Sequence, residues 1–247
     1  MHEDERPAKR RKTDDPVERL AATPIADLQE KYLNNGQLLY ELHKPTQTTE
    51  EPTKDEQFHT YTIALKTAFD LSDSELSTCF NLIDSTSRPD YASSTFGWHP
   101  KRKCKEMLDK DMRYLLIRRQ PPPLNSTTEP EPEPEPVQAF LSFMFTYDSD
   151  PPVPVLYIYE IHLAAPLRRI GLGAHLMQIV EVLAAQVGVR KVMLTCFLSN
   201  AKALRFYRQR GYEADVCSPP DRLTRRKVVK ADYVIMSRDV EGEAEAF

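Results

Sequence analysis

Two arginines and two glycines stand within six residues, Arg168-Arg169-Ile170-Gly171-Leu172-Gly173, where a short apolar run gives way to a long amphipathic one. The chain has only seven glycines in 247 residues, so a pair one residue apart is informative. The start of a helix leaves backbone N–H groups unpaired and carries about half a positive charge, which suits a phosphate. Glycine at 171 and 173 removes the Cβ that would hold a bulky anion away from those amides, and Arg168 and Arg169 add charge at the rim. The stretch reads as a cradle for a pyrophosphate. A P-loop would need Gly-x4-Gly-Lys-Ser/Thr, and no lysine stands there. A dinucleotide fingerprint would need a third small residue where Leu176 stands, and an acidic residue about 20 positions on, which Gly188-Val-Arg-Lys-Val-Met-Leu194 does not supply.

The second candidate for chemistry is Glu160, inside the β-prone run Val155–Leu163, VLYIYEIHL. A carboxylate there is either a general base or a structural group, paired to an arginine or turned to solvent. Burial is expected to raise its pKa and strengthen it as a base. Tyr157 and Tyr159 alternate along the same run and share one face. Asp148 stands twelve residues before Glu160, across an expected hairpin. Together with Tyr157, Tyr159 and Tyr233 the two carboxylates are suited to line a groove for a peptide with an early arginine. Asp148 equally fits a turn in Tyr147-Asp-Ser-Asp-Pro-Pro152. Tyr207 is a candidate general acid or a packing residue beside Phe206, His162 a strand histidine of either kind, and Trp98 a packing residue at the mouth of such a groove.

The elements that must position these groups follow from periodicity and breakers. A helix is expected from Val17 to Tyr40, stopped near Asn34-Asn35-Gly36, and a short strand at Tyr61–Leu65. Apolar residues at 76, 79, 80 and 83 predict a helix over Asp73–Ile83, followed by a loop to Trp98 and a charged helix over about 100–110. Strands are expected at Arg113–Arg119 and Val137–Tyr147, a hairpin whose tip is QPPPLNSTTEPEPEPEP, 120–136. Proline at every second residue there forbids helix and sheet. After Val155–Leu163 come a helix at Gly171–Val187 closed by Gly188, a strand at Lys191–Phe197, a helix at Asn200–Gln209, and strands at Tyr212–Val216 and Ala231–Ser237. Hairpins followed by alternating strands and helices predict an α/β or α+β domain with a mixed sheet.

Arg168-x-x-Gly171-x-Gly173 resembles the Gln/Arg-x-x-Gly-x-Gly/Ala loop of the Gcn5-related N-acetyltransferases, the GNAT superfamily. A second block one helix and one strand later, Asn200-x-x-Ala203-x-x-Phe206-Tyr207-x-x-x-Gly211-Tyr212, resembles the segment that follows the fifth strand of that fold. Through Leu156–Leu163, Arg168–Gly173, Lys191–Thr195 and Phe96-Gly97-Trp98 the chain is similar to the NatD-type N-terminal acetyltransferases, which acetylate histone amino termini. The resemblance covers roughly residues 60–238. It implies a largely antiparallel sheet splayed around its cofactor and flanked by helices, with acetyl-CoA as cosubstrate and no metal. It implies a substrate with a free N-terminus beginning Ser-Gly-Arg-Gly, as in histones four and two-A. By the resemblance Glu160 is the catalytic carboxylate, assisted by Tyr159 and Tyr207. Ile161, His162, Leu163, Arg168 to Ala174 and Asn200 meet the cofactor. Tyr91, Phe96, Trp98, Asp148, Tyr157, Tyr159, Thr195 and Tyr233 meet the substrate. Phe96 departs from the family, standing where a tryptophan is expected, so a ring is kept and an N–H donor lost. Action on lysine or another amine, and a non-catalytic CoA-binding module recruited to chromatin, are the alternatives.

Bulk composition sets the outer limits. Hydrophobic residues make up 40%, enough for a core, and a net charge of −4 with 28% charged residues does not mark a nucleic-acid binder. Charge is local: RPAKRRK at 6–12 is basic and fits a nuclear-import patch or a solvated tail, whereas EPEPEPEP (129–136) and EGEAEAF (241–247) are acidic. The four cysteines form no CxxC pair, no signal peptide is evident, and no apolar run reaches a membrane span. The expected layout is a basic disordered tail over 1–15, a helical extension and loop over 16–58, the catalytic domain over 59–238 and an acidic tail over 239–247. A monomer in the nucleus and cytoplasm is expected, with histone tails as partners, ribosome or nascent-chain contact left open, and no direct contact with nucleic acid or membrane.

Overall fold

The computed structural model describes residues 15–34, 36–42, 59–120, 135–148, 152–223 and 228–241. The basic run at 6–12, residues 121–134 of the proline-rich insertion and the end of the acidic tail lie outside the described residues, as do the expectations placed on them.

The chain begins with two short helices, α1 (Pro16–Ala21) and α2 (Ile25–Tyr32). The single long helix expected over 17–40 is therefore corrected. Pro24 takes the cap position of the second helix, where its missing N–H costs nothing. Tyr40 lies not on a helix but on a strand, β1 (Leu39–Leu42), which pairs antiparallel with β2 (His59–Thr67) at the sheet edge. The expected extension thus supplies an edge strand. Helix α3 (Asp73–Ser93) starts at a reciprocal capping box between Ser72 and Glu75. It runs ten residues beyond the expected end, through Pro89, so the loop expected after Ile83 is confined to the residues following Ser93. Helix α4 (Pro100–Met107) leads to β3 (Arg113–Arg119) and β4 (Ala139–Tyr147), the expected hairpin. Strand β5 (Pro154–Leu163), helix α5 (Leu172–Gln186), strand β6 (Lys191–Phe197) and helix α6 (Ala201–Gln209) follow. The chain closes with β7 (Glu213–Ala214), the small hairpin β8 (Arg222–Leu223) and β9 (Val228–Val229), and β10 (Tyr233–Asp239). Expected bounds at 212–216 and 231–237 shift by a residue or two.

Eight strands form one mixed sheet in the order β1-β2-β3-β4-β5-β6-β10-β7, antiparallel throughout except for β5 beside β6. Helices cover both faces, so the central strands are apolar on both sides. On one face Leu115, Ile117, Leu141, Phe143, Leu156 and Ile158 pack under α2, α5 and α6. On the other Tyr114, Leu116 and Phe140 pack against Cys79 and Ile83 of α3 and Met107 of α4. Helix α3 is also tethered at its start. Glu75, its carboxylate largely buried, pairs with Lys66 of β2 at 2.8 Å and with Arg118 of β3. Burial alone would raise its pKa, but Lys66, the Ser72 amide and Arg118 hold it at about 2. Among the described residues no helix is long and apolar enough to cross a membrane.

Two irregularities in β5 shape the surface around Glu160. Ser142 pairs with Glu160 and Phe143 with Ile158, so Tyr159 is an extra residue, a β-bulge. Before it Leu156 and Ile158 face the α5 side; after it Ile161 and Leu163 do. The bulge changes the parity of the strand, and Glu160 and His162 turn to the α3 side with Tyr159. Second, β5 pairs with β6 only over Leu156–Ile158 and Val192–Leu194. Beyond that ladder the parallel strands part.

Ile83 is fully buried where α3 meets the sheet. Ile83→Ala should destabilise the protein by ~2–5 kcal/mol through transfer and cavity effects, read as a lower urea midpoint at unchanged slope.

Candidate active site

The gap between β5 and β6 opens into a cleft of about 1660 Å³. Because α5 lies on one face of the sheet and α3 and α4 on the other, the cleft passes from face to face through the parting of the strands. Tyr157 to Leu163 form one wall, Leu194 to Phe197 the facing one, and Gly171, Gly173, Ala174, Asn200 and Tyr207 line it from the helix starts.

Helix α5 begins at Gly171, whose φ of +91° is left-handed and strained for any residue with a side chain. No side chain caps this helix, so the first amides face the cleft unpaired. Gly173 lines the cleft, and a Cβ there would touch Phe206 and Leu163 only at ordinary contact distances of 3.7–4.0 Å. A side chain at 173 would therefore fit the protein but stand in front of the amides. Arg169 also has a left-handed φ of 63°. The Arg168 Nε donates to the Leu163 carbonyl at 2.9 Å, tying the loop to the end of β5. Tyr40 of the edge strand donates through its hydroxyl to the Ile170 carbonyl. Asn200 caps α6 by accepting from the Ala203 amide at 3.1 Å. Ile170 and Leu172 do not line the cleft; Leu172 is fully buried, so only its backbone can serve a ligand.

Glu160 sits where the strands part, nearly buried and fully engaged. Its Oε1 accepts from the Tyr91 hydroxyl at 2.8 Å and from Lys103 Nζ at 2.8 Å; its Oε2 lies 2.6 Å from His162 Nε2. Lys103 also donates to Glu106 at 2.5 Å. His162 Nδ1 lies 2.5 Å from Thr86 Oγ1 of α3. The expectation that burial raises the Glu160 pKa is corrected. Burial does push it up, but the Lys103 ammonium and the His162 hydrogen bond outweigh that and hold it at about 2. For Lys103 the same pairing wins over burial, and its pKa is raised. Glu160 is therefore a permanently charged group and a weak direct base.

Around it stands an aromatic wall. The Tyr91 ring meets Phe197 edge-on at 4.8 Å and Trp98 at 5.6 Å, and Phe96 packs on Phe197 at 5.9 Å and on Tyr233 at 4.8 Å. The Tyr157 hydroxyl is 2.5 Å from Thr195 Oγ1, and the Tyr157 and Tyr159 rings stack edge-on at 5.4 Å. Burial pushes Tyr157 up to about 12 and raises Tyr159 and Tyr207 as well. Tyr207 packs against Phe206 and Tyr212 while still lining the cleft. Tyr91, Phe96, Trp98, Tyr157, Tyr159 and Thr195 all line the cleft; Asp148 and Tyr233 do not. Asp148 is held by Lys191 Nζ at 2.6 Å, which bridges to Asp215 at the same distance. Tyr233 meets the cleft wall through Phe96 and through its ladder partner Phe197.

Lys103, Thr86 and Tyr40 are the participants that sequence reasoning missed. Lys103 had a signal: it lies one turn before Met107, on the buried face of an otherwise charged helix. Thr86 fell in a stretch read as loop, and Tyr40 in one read as helix.

Glu160, depressed below an ordinary carboxylate, contributes stability that is present above about pH 4.5 and lost as pH falls toward 2. Lys103→Met should destabilise the protein by ~3–5 kcal/mol at neutral pH, because a buried charge loses its partner. It should also raise the Glu160 pKa, so that part of the remaining loss on acidification moves to higher pH. Melting curves between pH 2 and 7 and carboxyl 13C shifts would measure both.

Residues 96–212, which include the cradle, Glu160 and most of the cleft walls, match the family model described as the Acetyltransferase (GNAT) family. The structure is similar to that of Arabidopsis thaliana NAA60 in complex with a bisubstrate analogue, with a TM-score of 0.50 and 13% identity over 73% of this chain and 100% of that one. It is also similar to the same plant protein in complex with acetyl-CoA (TM-score 0.49, 12% identity, 72% and 99% covered). A third is the ribosomal-protein-S18-alanine N-acetyltransferase of Escherichia coli (TM-score 0.44, 18% identity, 75% and 100% covered). At such identities the likeness is one of fold. The chain carries the GNAT acyl-CoA N-acyltransferase fold, and its residues 96–212 are similar to the GNAT acetyltransferase family model.

Proposed function

We infer that this protein transfers the acetyl group of acetyl-CoA to the free α-amine of proteins beginning Ser-Gly-Arg-Gly, the amino termini of histones four and two-A. The observation that carries acetyl transfer is the pairing, in one cleft, of an uncapped glycine-flanked helix start with an oriented, permanently ionised carboxylate. The amides of Leu172, Gly173 and Ala174 suit the pyrophosphate, Arg168 and Arg169 its rim, and the open edge of β5 from Ile161 to Leu163 the pantetheine arm. The bound thioester supplies the acetyl carbon. Tyr207 lines the cleft and is the candidate donor to the leaving sulfur, although burial makes its proton harder to give.

Choice of an α-amine over lysine rests on acid–base arithmetic. An α-amine titrates at ~7.7–8.0 and a lysine at ~10.4, so freeing the lysine costs about 3 kcal/mol more. A carboxylate held near 2 is a poor direct base and gives little help with that difference. Its service is electrostatic: it orients the amine and offsets the positive charge that grows on the attacking nitrogen. The preference for Ser-Gly-Arg-Gly rests on the NatD-type resemblance, and two features agree with it. The wall of Tyr91, Phe96, Trp98 and Tyr159 suits small leading residues. Tyr157 and Thr195 offer hydroxyls to the peptide backbone. Asp148 is kept as the partner of an early arginine on the resemblance alone: it adjoins Tyr147 of the cleft wall but lies outside the lining and pairs with Lys191. The basic run at 6–12 agrees with residence in nucleus and cytoplasm, with histone tails as partners.

Ser-Gly-Arg-Gly peptides with free and with blocked amino termini would test the reading. Acetylation of the free peptide alone is expected; activity confined to a blocked, lysine-containing peptide overturns the N-terminal assignment. Glu160→Gln should still bind acetyl-CoA, seen as a rise in melting temperature, while losing most turnover.

Gly173→Val addresses the cradle separately. The variant should fold, and the KM for acetyl-CoA should rise by about tenfold, ~1.4 kcal/mol. Steady-state kinetics at saturating peptide measure this, and an unchanged KM would place the pyrophosphate elsewhere.

A further inference from the structure

Glu160, His162 and Thr86 form a line of carboxylate, imidazole and hydroxyl. His162 Nε2 lies 2.6 Å from Glu160 Oε2, and His162 Nδ1 lies 2.5 Å from Thr86 Oγ1. Thr86 also stands 2.7 Å from the Leu82 carbonyl, and all three side chains line the cleft. The arrangement accepts a proton without orphaning any polar atom. An ionised carboxylate only accepts, so Nε2 carries a hydrogen and donates to Glu160. With a neutral imidazole, Nδ1 accepts from the Thr86 hydroxyl. With an imidazolium, Nδ1 donates to Thr86, whose own hydrogen turns to the Leu82 carbonyl. Both states are fully hydrogen-bonded, and one hydroxyl rotation interconverts them.

We propose that Thr86 and His162 form the proton relay of the transferase, with Thr86 Oγ1 as its cleft-facing end and Glu160 as the group that stabilises the charged imidazole. This rests on the acetyl-transfer reading and adds where the amine proton goes. As the amine nitrogen bonds to the acetyl carbon, the carbon–sulfur bond breaks and the electron pair leaves on sulfur. The amine proton passes, directly or through one water, to Thr86 Oγ1, which hands its own hydrogen to His162 Nδ1. The imidazolium later returns a proton to solvent by the same path. Glu160 is ill suited to hold that proton itself: its Oε1 already takes two donors, Tyr91 and Lys103, and Lys103 keeps the carboxylate ionised. Imidazole is the side chain whose charge changes in the neutral range. His162 meets Glu160 and Thr86 by hydrogen bond and the Phe140 ring of β4 at 5.5 Å. Around Glu160 stand Tyr91 on α3, Tyr114 on β3 and Tyr207 on α6, phenols whose pKa is raised, and Lys103 on α4, which also pairs with Glu106.

Thr86→Val keeps the shape of the side chain and removes the hydroxyl. It should lower kcat ~10²-fold, the usual worth of a positioned proton acceptor, with the KM for acetyl-CoA within about twofold, and Thr86→Ser should restore most of the rate. His162→Gln can donate to Glu160 and accept from Thr86 but cannot take a proton. It should slow turnover similarly and remove one ionisation from the acid side of the wild-type pH–rate profile. Wild-type kcat and pH profile in Thr86→Val overturn the relay while leaving acetyl transfer intact. A ligand-free measurement separates the relay from turnover altogether. Nitrogen-15 NMR of the protein at high pH should show His162 as the Nε2–H tautomer, with Nδ1 bare and accepting from Thr86. The Nδ1–H tautomer there overturns the proposal whether or not the protein acetylates any amine.

Discussion

One additional residue in one strand decides which chemistry the sheet can host. The aliphatic residues of β5 stand at 156 and 158 and then at 161 and 163, and a regular ladder would send Glu160 to the same side as Leu156 and Ile158, into the apolar layer under α5. A carboxylate there would be desolvated with nothing to pair with, at a cost of several kcal/mol. The bulge at Tyr159 moves Glu160 and His162 to the α3 side, where Tyr91, Lys103 and Thr86 await them. The same step returns Ile161 and Leu163 to the core. Polar site and apolar layer are thus both satisfied by one irregularity, and the parting of β5 from β6 begins at the same place.

The electrostatics derive from that placement. A nearly buried carboxylate is expensive alone and acceptable when each lone pair finds a donor. Lys103 takes most of that duty, which makes the carboxylate a fixed charge instead of a titrating one. The cradle across the cleft has opposite polarity, since helix α5 points its positive end there with no side chain over it. A molecule with an anionic middle and a reactive end therefore meets complementary potentials at two points of one passage.

Much of the fold and of the site was legible in the sequence. Arg113–Arg119 and Lys191–Phe197 are strands to the residue, because each is an uninterrupted run of β-formers bounded by charged or turn-forming residues. The glycine pair and the helix closed at Gly188 follow from the backbone demands of helix ends, whereas Asn200, read inside its helix, proves to cap it. What escaped was set by distant partners. Polar composition in Asp84–Ser93 looks like loop, yet the segment stays helical because its neighbours Ile83 and Tyr91 are packed against the sheet and the aromatic wall. The bulge shows in the sequence only as a change of parity, aliphatic residues at 156 and 158 and then at 161 and 163, which the strand assignment did not read. The direction of the Glu160 shift depended on Lys103, 57 residues away, and burial read alone gives the opposite sign.

Tyr40 grips the Ile170 carbonyl across 130 residues of chain, and the Gln37 carbonyl lies 2.9 Å from His175 Nε2 on the first turn of α5. The anion-binding turn is therefore finished by a segment from the far end of the polypeptide, docked on an outer strand. Contacts so remote in sequence close late in folding, and border strands open more readily than interior ones. Competence for the nucleotide is accordingly tied to the docking of the outer strand and not to the α5 turn alone.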